Sequence, residues 1–118
     1  MINTAFYDGF EGEPELILAN ENKKLIIWNG YFESILDALL TSDSEKAGIL
    51  KEYYYHEGWY DDSPWIIPDL SLTIEQLNHF DINKVEQSDN IKNVLPVLVK
   101  SIINFLETSN GIVCIEYD

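Results

Sequence analysis

The sequence predicts a single α+β domain over residues 1–118: a small, mainly antiparallel sheet made by an N-terminal hairpin and a C-terminal strand, packed by three or four helices. Three observations predict it. Apolar, β-compatible runs stand near the N-terminus and at the C-terminus, the segments between them have helical spacing, and no repeat, low-complexity tract or long linker divides the chain. Hydrophobic residues make up 46% of it, enough for a core.

"ELILA" (Glu15 to Ala19) and "KLIIW" (Lys24 to Trp28) flank the polar turn "NENK", so they read as a hairpin. Both runs are apolar on both faces, which points to a sheet covered by helices. In "YFESILDALL", Phe32, Ile35, Leu36, Leu39 and Leu40 share one helical face. Ser42 and Glu45 fit a capping box, in which each side chain satisfies a backbone donor of the other, and Ala47, Leu50 and Tyr54 then line a second helix that Gly58 ends. Thr73 and Gln76 repeat the capping pattern with Leu72 and Leu77 as a staple, predicting a short helix from about Ile74 to Phe80. From Asn90 to Ser109 the residues Ile91, Leu95, Leu98, Ile102, Phe105 and Leu106 share a face, with Pro96 as a kink or a restart. Asn110-Gly111 stops that helix, and "IVCIEY" reads as an interior strand.

Charge is the most informative bulk property. The 21 Asp and Glu residues stand against seven cations, a net charge of −14, and all seven cations are Lys. Without Arg the chain has no guanidinium fork for phosphate. Nucleic acid and anionic membranes are repelled, and a basic partner is attracted. No apolar run approaches the roughly 20 residues that span a bilayer. The N-terminal stretch lacks the pattern of a signal peptide, and the single Cys114 has no internal disulfide partner, so the expected location is cytoplasmic.

Catalytic and metal chemistry have weak support. His56, Glu57, Asp61 and Asp62 are ligand types in a short window, but neither zinc-site spacing nor an EF-hand loop occurs, so no metal and no cofactor are expected. Cys114 sits in an apolar strand and reads as an inert core residue, away in sequence from His56 and His79. Asp61 and Asp62 are adjacent in a loop, so they point apart rather than forming an acid–base pair. No enzyme is expected.

"EYYYHEGWYDDSPW" interleaves aromatics with acids, the inverse of a nucleic-acid-binding surface. Tyr and Trp anchor protein interfaces, and carboxylates match a basic surface. Trp65, followed by "II", reads as core, whereas Trp59 and Tyr60 are open to either role. "YDGFEGEPE" (Tyr7 to Glu15) is a second acidic stretch, with two Gly and one Pro to make it a loop.

The run "YYYHEGWYDDSPWIIPDLSLTIEQLNHF" resembles a pattern in small bacterial immunity proteins of contact-dependent growth inhibition and related polymorphic toxin systems. The matching residues are Tyr53 to Tyr55, Gly58, Trp59, Pro64, Trp65, Ile67, Asp69, Leu70 and Leu77. The resemblance implies an inhibitor that binds a cognate toxin C-terminal domain, often a nuclease, and blocks its active site or substrate access. It implies no catalytic residues. The expected toxin-binding residues are Glu57, Trp59, Tyr60, Asp61 and Asp62, with Asp8, Glu11 and Glu13 behind them. The alternative is an acidic adaptor or nucleic-acid mimic, which would compete with DNA for several unrelated proteins.

Overall fold

Alternation of side chains along two adjacent strands sets the architecture. The computed structural model describes residues 1–41, 47–56, 64–85 and 89–117. Its strands are β1 (Ile2–Phe6), β2 (Glu15–Asn20), β3 (Lys23–Trp28), β4 (Trp65–Ile66) and β5 (Cys114–Tyr117). They form one sheet in the order β1-β3-β2-β5-β4, antiparallel except for the parallel β1–β3 pair. The helices are α1 (Asn29–Thr41), α2 (Ile49–His56), α3 (Leu70–Asn78), α4 (Asp89–Lys92) and α5 (Leu95–Glu107), with a 3-10 turn at Ile82–Lys84. The α+β class, the hairpin and the interior C-terminal strand are as the sequence predicts. β1 and β4 are additional; their short runs carry too little pattern to stand out.

The hairpin is tighter than "NENK" implies. Pairing continues to Asn20↔Lys23, and Glu21 adopts a left-handed φ of 46° to close the turn. Asn20 is buried, and its Nδ2 donates to the carbonyls of Asn110 and Ile112, both at 2.8 Å. That contact fixes the approach to β5.

One face of the sheet carries Leu16, Leu18, Leu25, Ile27 and Ile115, all buried in the core. Phe32, Ile35, Leu36 and Leu39 of α1 and Leu95, Leu98, Ile102 and Leu106 of α5 belong to the same core cluster. Lys23 extends on this side: its Nζ donates to Phe105 O and Thr108 Oγ1 (3.0 and 2.7 Å) at the carbonyl end of α5, where a cation is favoured. The opposite face is different. Ile17, Ala19, Ile26, Trp28 and Cys114 are only partly buried there. Among the described residues, apolar positions on both faces of β2 and β3 therefore do not mean helices on both faces. Cys114 is accordingly not a core residue: strand alternation sends Ile115 inward and Cys114 to the less covered side.

Three helix boundaries differ from the periodic reading. α2 begins at Ile49 after Gly48, and it buries Ile49, Leu50 and Tyr53 rather than Tyr54; Ser42, Glu45 and Gly58 lie outside the described residues. α3 starts one turn earlier than expected, because Asp69 is its N-cap and its carboxylate accepts from Leu72 N (3.0 Å). Thr73 instead donates to Asp69 O, and Gln76 Nε2 reaches Ala47 O, tying α3 to the start of α2. The long C-terminal helix is two helices. Pro96 sits in the first turn of α5, where its missing N–H costs nothing, so it marks a restart.

Gly30 is where β3 turns into α1. A Cβ there would lie 2.5–2.8 Å from the six-membered ring of the Trp28 indole. Gly30→Ala is expected to lower stability: overpacking costs about 1–3 kcal/mol, against a helix-propensity gain of roughly 0.5–1 kcal/mol. Urea unfolding checks this, and a variant as stable as the parent contradicts it.

Candidate functional site

The parallel β1–β3 pair dictates where the first acidic loop lies. β3 separates β1 from β2, so residues 7–14 must step over the end of β3, beside Trp28. Phe10 marks that crossing. Its ring stacks on Trp28 at 4.3 Å and 6°, and Tyr31 meets both rings edge-on, at 5.3 and 5.0 Å. Such pairs add roughly 0.5–1.5 kcal/mol each beyond burial.

The loop is further ordered by its own hydrogen bonds. Phe10 N donates to Tyr7 O (3.0 Å), Glu13 N to Phe10 O (2.8 Å), and Tyr7 Oη to Glu13 O (2.6 Å). Gly9 and Gly12 take φ values of 92° and 93°, which the successive turns require and L side chains rarely adopt. Gly9 N donates to Glu11 Oε1 at 3.3 Å. The result is a fixed loop that holds Asp8, Glu11 and Glu13 exposed, with Glu15 at the start of β2 beside them. Partial burial, then the Glu15 charge, pushes the Tyr7 phenol above its ordinary range, and burial does the same to Tyr31.

Of the expected binding residues, the structure thus brings Asp8, Glu11 and Glu13 onto one loop, whereas Glu57, Trp59, Tyr60, Asp61 and Asp62 lie outside the described residues. The tyrosines that lead toward them divide. Tyr53 is buried and donates to Asp37 Oδ1 at 2.8 Å; Tyr54 and Tyr55 are 48% and 67% exposed. Trp65 is partly buried against the core from β4.

Sequence reasoning missed the partners of the first loop. Phe10 was visible only as one of two aromatics in an acidic stretch, and nothing in a linear reading places it on Trp28 and Tyr31. It also missed the residues of the less covered sheet face. Their signal was present in the unbroken apolar runs of β2 and β3, but it fits a sheet covered on both sides equally well.

Among the described residues no group of three or more His, Cys, Asp or Glu side chains is placed to hold a metal ion, and no described helix is long and apolar enough to cross a membrane. Comparison with protein-family models, curated proteins and solved structures finds no match to this chain.

Proposed function

We propose that this chain is a cytosolic immunity protein that neutralises a cognate bacterial toxin domain by binding it. The toxin domain is a basic protein, a nuclease by preference, and the inhibitor covers its active site or the approach of its substrate. The observation that carries this reading is the acidic loop of residues 7–14. Its carboxylates are exposed while its backbone is already fixed by Phe10, Tyr7 and the two glycines. An ordered charged surface loses little conformational freedom on binding, and a net charge of −14 without Arg steers it toward basic proteins. The likeness of the 53–80 run to immunity proteins supports the same class.

A standard interface buries about 1,600 Å² in total, so one loop is not enough. The Glu57–Asp62 segment, entered from the exposed Tyr54 and Tyr55, is the second contributor in this reading. An Asp61→Lys/Asp62→Lys variant is expected to fold normally and to lose protection of cells that make a basic toxin domain drawn from the chain's gene neighbourhood. Full protection by this variant removes the segment from the interface and leaves the class intact. If the parent chain itself neither protects nor binds that domain, the class is wrong. If it instead displaces DNA from several unrelated proteins, it is a nucleic-acid mimic.

A further inference from the structure

The strand registers place one set of side chains on the less covered face of the sheet. Ile2, Lys24, Ala19, Cys114 and Ile66 form a row across all five strands, since each is the register partner of the next. Ile26, Ile17 and Glu116 form the next row, and Trp28 with Glu15 the third. An antiparallel sheet with one solvated face normally alternates apolar-in with polar-out. Here the outward positions are mostly apolar, and the charged exceptions in these rows are Lys24, Glu15 and Glu116. Ile2 and Ile66, at opposite ends of the first row, are 63% and 60% exposed.

With strands about 4.8 Å apart and about 3.3 Å per residue, each outward position covers roughly 32 Å², so the ten positions of these rows cover roughly 320 Å². That is about two fifths of the roughly 800 Å² that one partner contributes to a standard interface, a suitable size for its apolar centre. The charges choose the occupant. Glu116 flanks Ile17 and Glu15 flanks Trp28 on the face itself, and Asp8, Glu11 and Glu13 border its Trp28 end. A second copy would set a net charge of −14 against −14, with Lys24 the one cation of these rows to offset it, and nucleic acid is repelled by the same net charge.

We propose that this sheet face is a docking surface for a basic protein, with Ile17 and Ile26 at its centre and Glu15 and Glu116 opposite the partner's Lys or Arg side chains. The proposal rests on the reading of the chain as an inhibitor of a basic toxin domain, and it names the surface that reading uses.

Cys114 lies on this face and is the only cysteine, so it serves as a footprint. The experiment follows alkylation of Cys114 by iodoacetamide in the full chain, alone and with a catalytically inactive form of that toxin domain. It also measures binding of that domain by Ile17→Thr and Ile26→Thr variants, in which the β-branched residue keeps the strand. The expected result is a reactive thiol in the free chain, at least 10-fold slower alkylation in the complex, and at least 10-fold weaker binding by variants whose circular dichroism and Tm match the parent. If the domain binds but Cys114 reacts at its free rate and both variants bind like the parent, the surface is wrong and the inhibitor reading stands. Failure of the parent chain to bind the domain overturns both. A thiol unreactive in the free monomer means that the chain's own segments cover this face, and a dimer in sedimentation with Cys114 protected means that a second copy does; either result overturns the proposal.

Discussion

A chain carrying Asp8→Lys, Glu11→Lys and Glu13→Lys is expected to fold like the parent and to associate with the proposed basic toxin domain about 10- to 100-fold more slowly at low salt. The three side chains are exposed, and of these three only that of Glu11 makes a hydrogen bond within the loop, a 3.3 Å contact from Gly9 N. The loop is held instead by Phe10 on Trp28 and by Tyr7, which the substitutions leave alone. Electrostatic steering of this kind changes on-rates by roughly 10–10³, and the charges sit on the side from which the partner approaches in the proposed complex. The difference between variant and parent should shrink as salt rises, because the screening length falls from about 10 Å at 0.1 M to about 3 Å at 1 M. Stopped-flow association at several salt concentrations decides it. Parallel salt slopes for variant and parent would show that this loop is not part of the approach surface.

Phe32→Ala is expected to be the most damaging single truncation for stability. Phe32 is fully buried in α1, and α1 packs on β2, β3, α2, α5 and the 3-10 turn. Removing a buried Phe side chain costs about 3–5 kcal/mol, a large part of the roughly 5–15 kcal/mol that holds a domain together. Urea unfolding should show a lower midpoint with an unchanged slope. A loss under about 1 kcal/mol would mean that the core is not organised around this helix. Gly30→Ala acts on the same helix from its first turn, through the Trp28 indole instead of the core.

Sequence legibility followed the strength of local signals. Long amphipathic stretches were readable: Leu95, Leu98, Ile102, Phe105 and Leu106 all lie in the core, as their spacing requires. Caps were less so, because Asp69 and Thr73 are both acceptable N-caps and the choice falls to the earlier one, whose carboxylate meets Leu72 N. Tyr53 and Tyr54 are neighbours with equal propensity, and only the start of α2 at Ile49 decides which is buried. The parallel pairing of Ile2–Phe6 with β3 had no signal, since its residues are mostly exposed and its partner lies two elements on. That pairing in turn sends the acidic loop across Trp28, so the geometry of the candidate site was hidden for the same reason. Its residue content, Asp8, Glu11 and Glu13 with two aromatics, was legible; its arrangement was not.

The place of β5 has a consequence for the order of assembly. Cys114–Tyr117 lies between β2 and β4, and pairs Leu16 with Tyr117 and Leu18 with Ile115. An interior position of the sheet is thus filled by a strand far along the chain from its β2 partner, a pairing that closes a long loop and forms slowly. Without it, the hairpin and its helices have an unpaired β2 edge, and Ile67 N lacks its Val113 carbonyl acceptor. A chain that has not yet docked Val113–Tyr117 exposes that edge to neighbours. Deleting this segment therefore removes an interior strand of the sheet and leaves the β2 edge open for good.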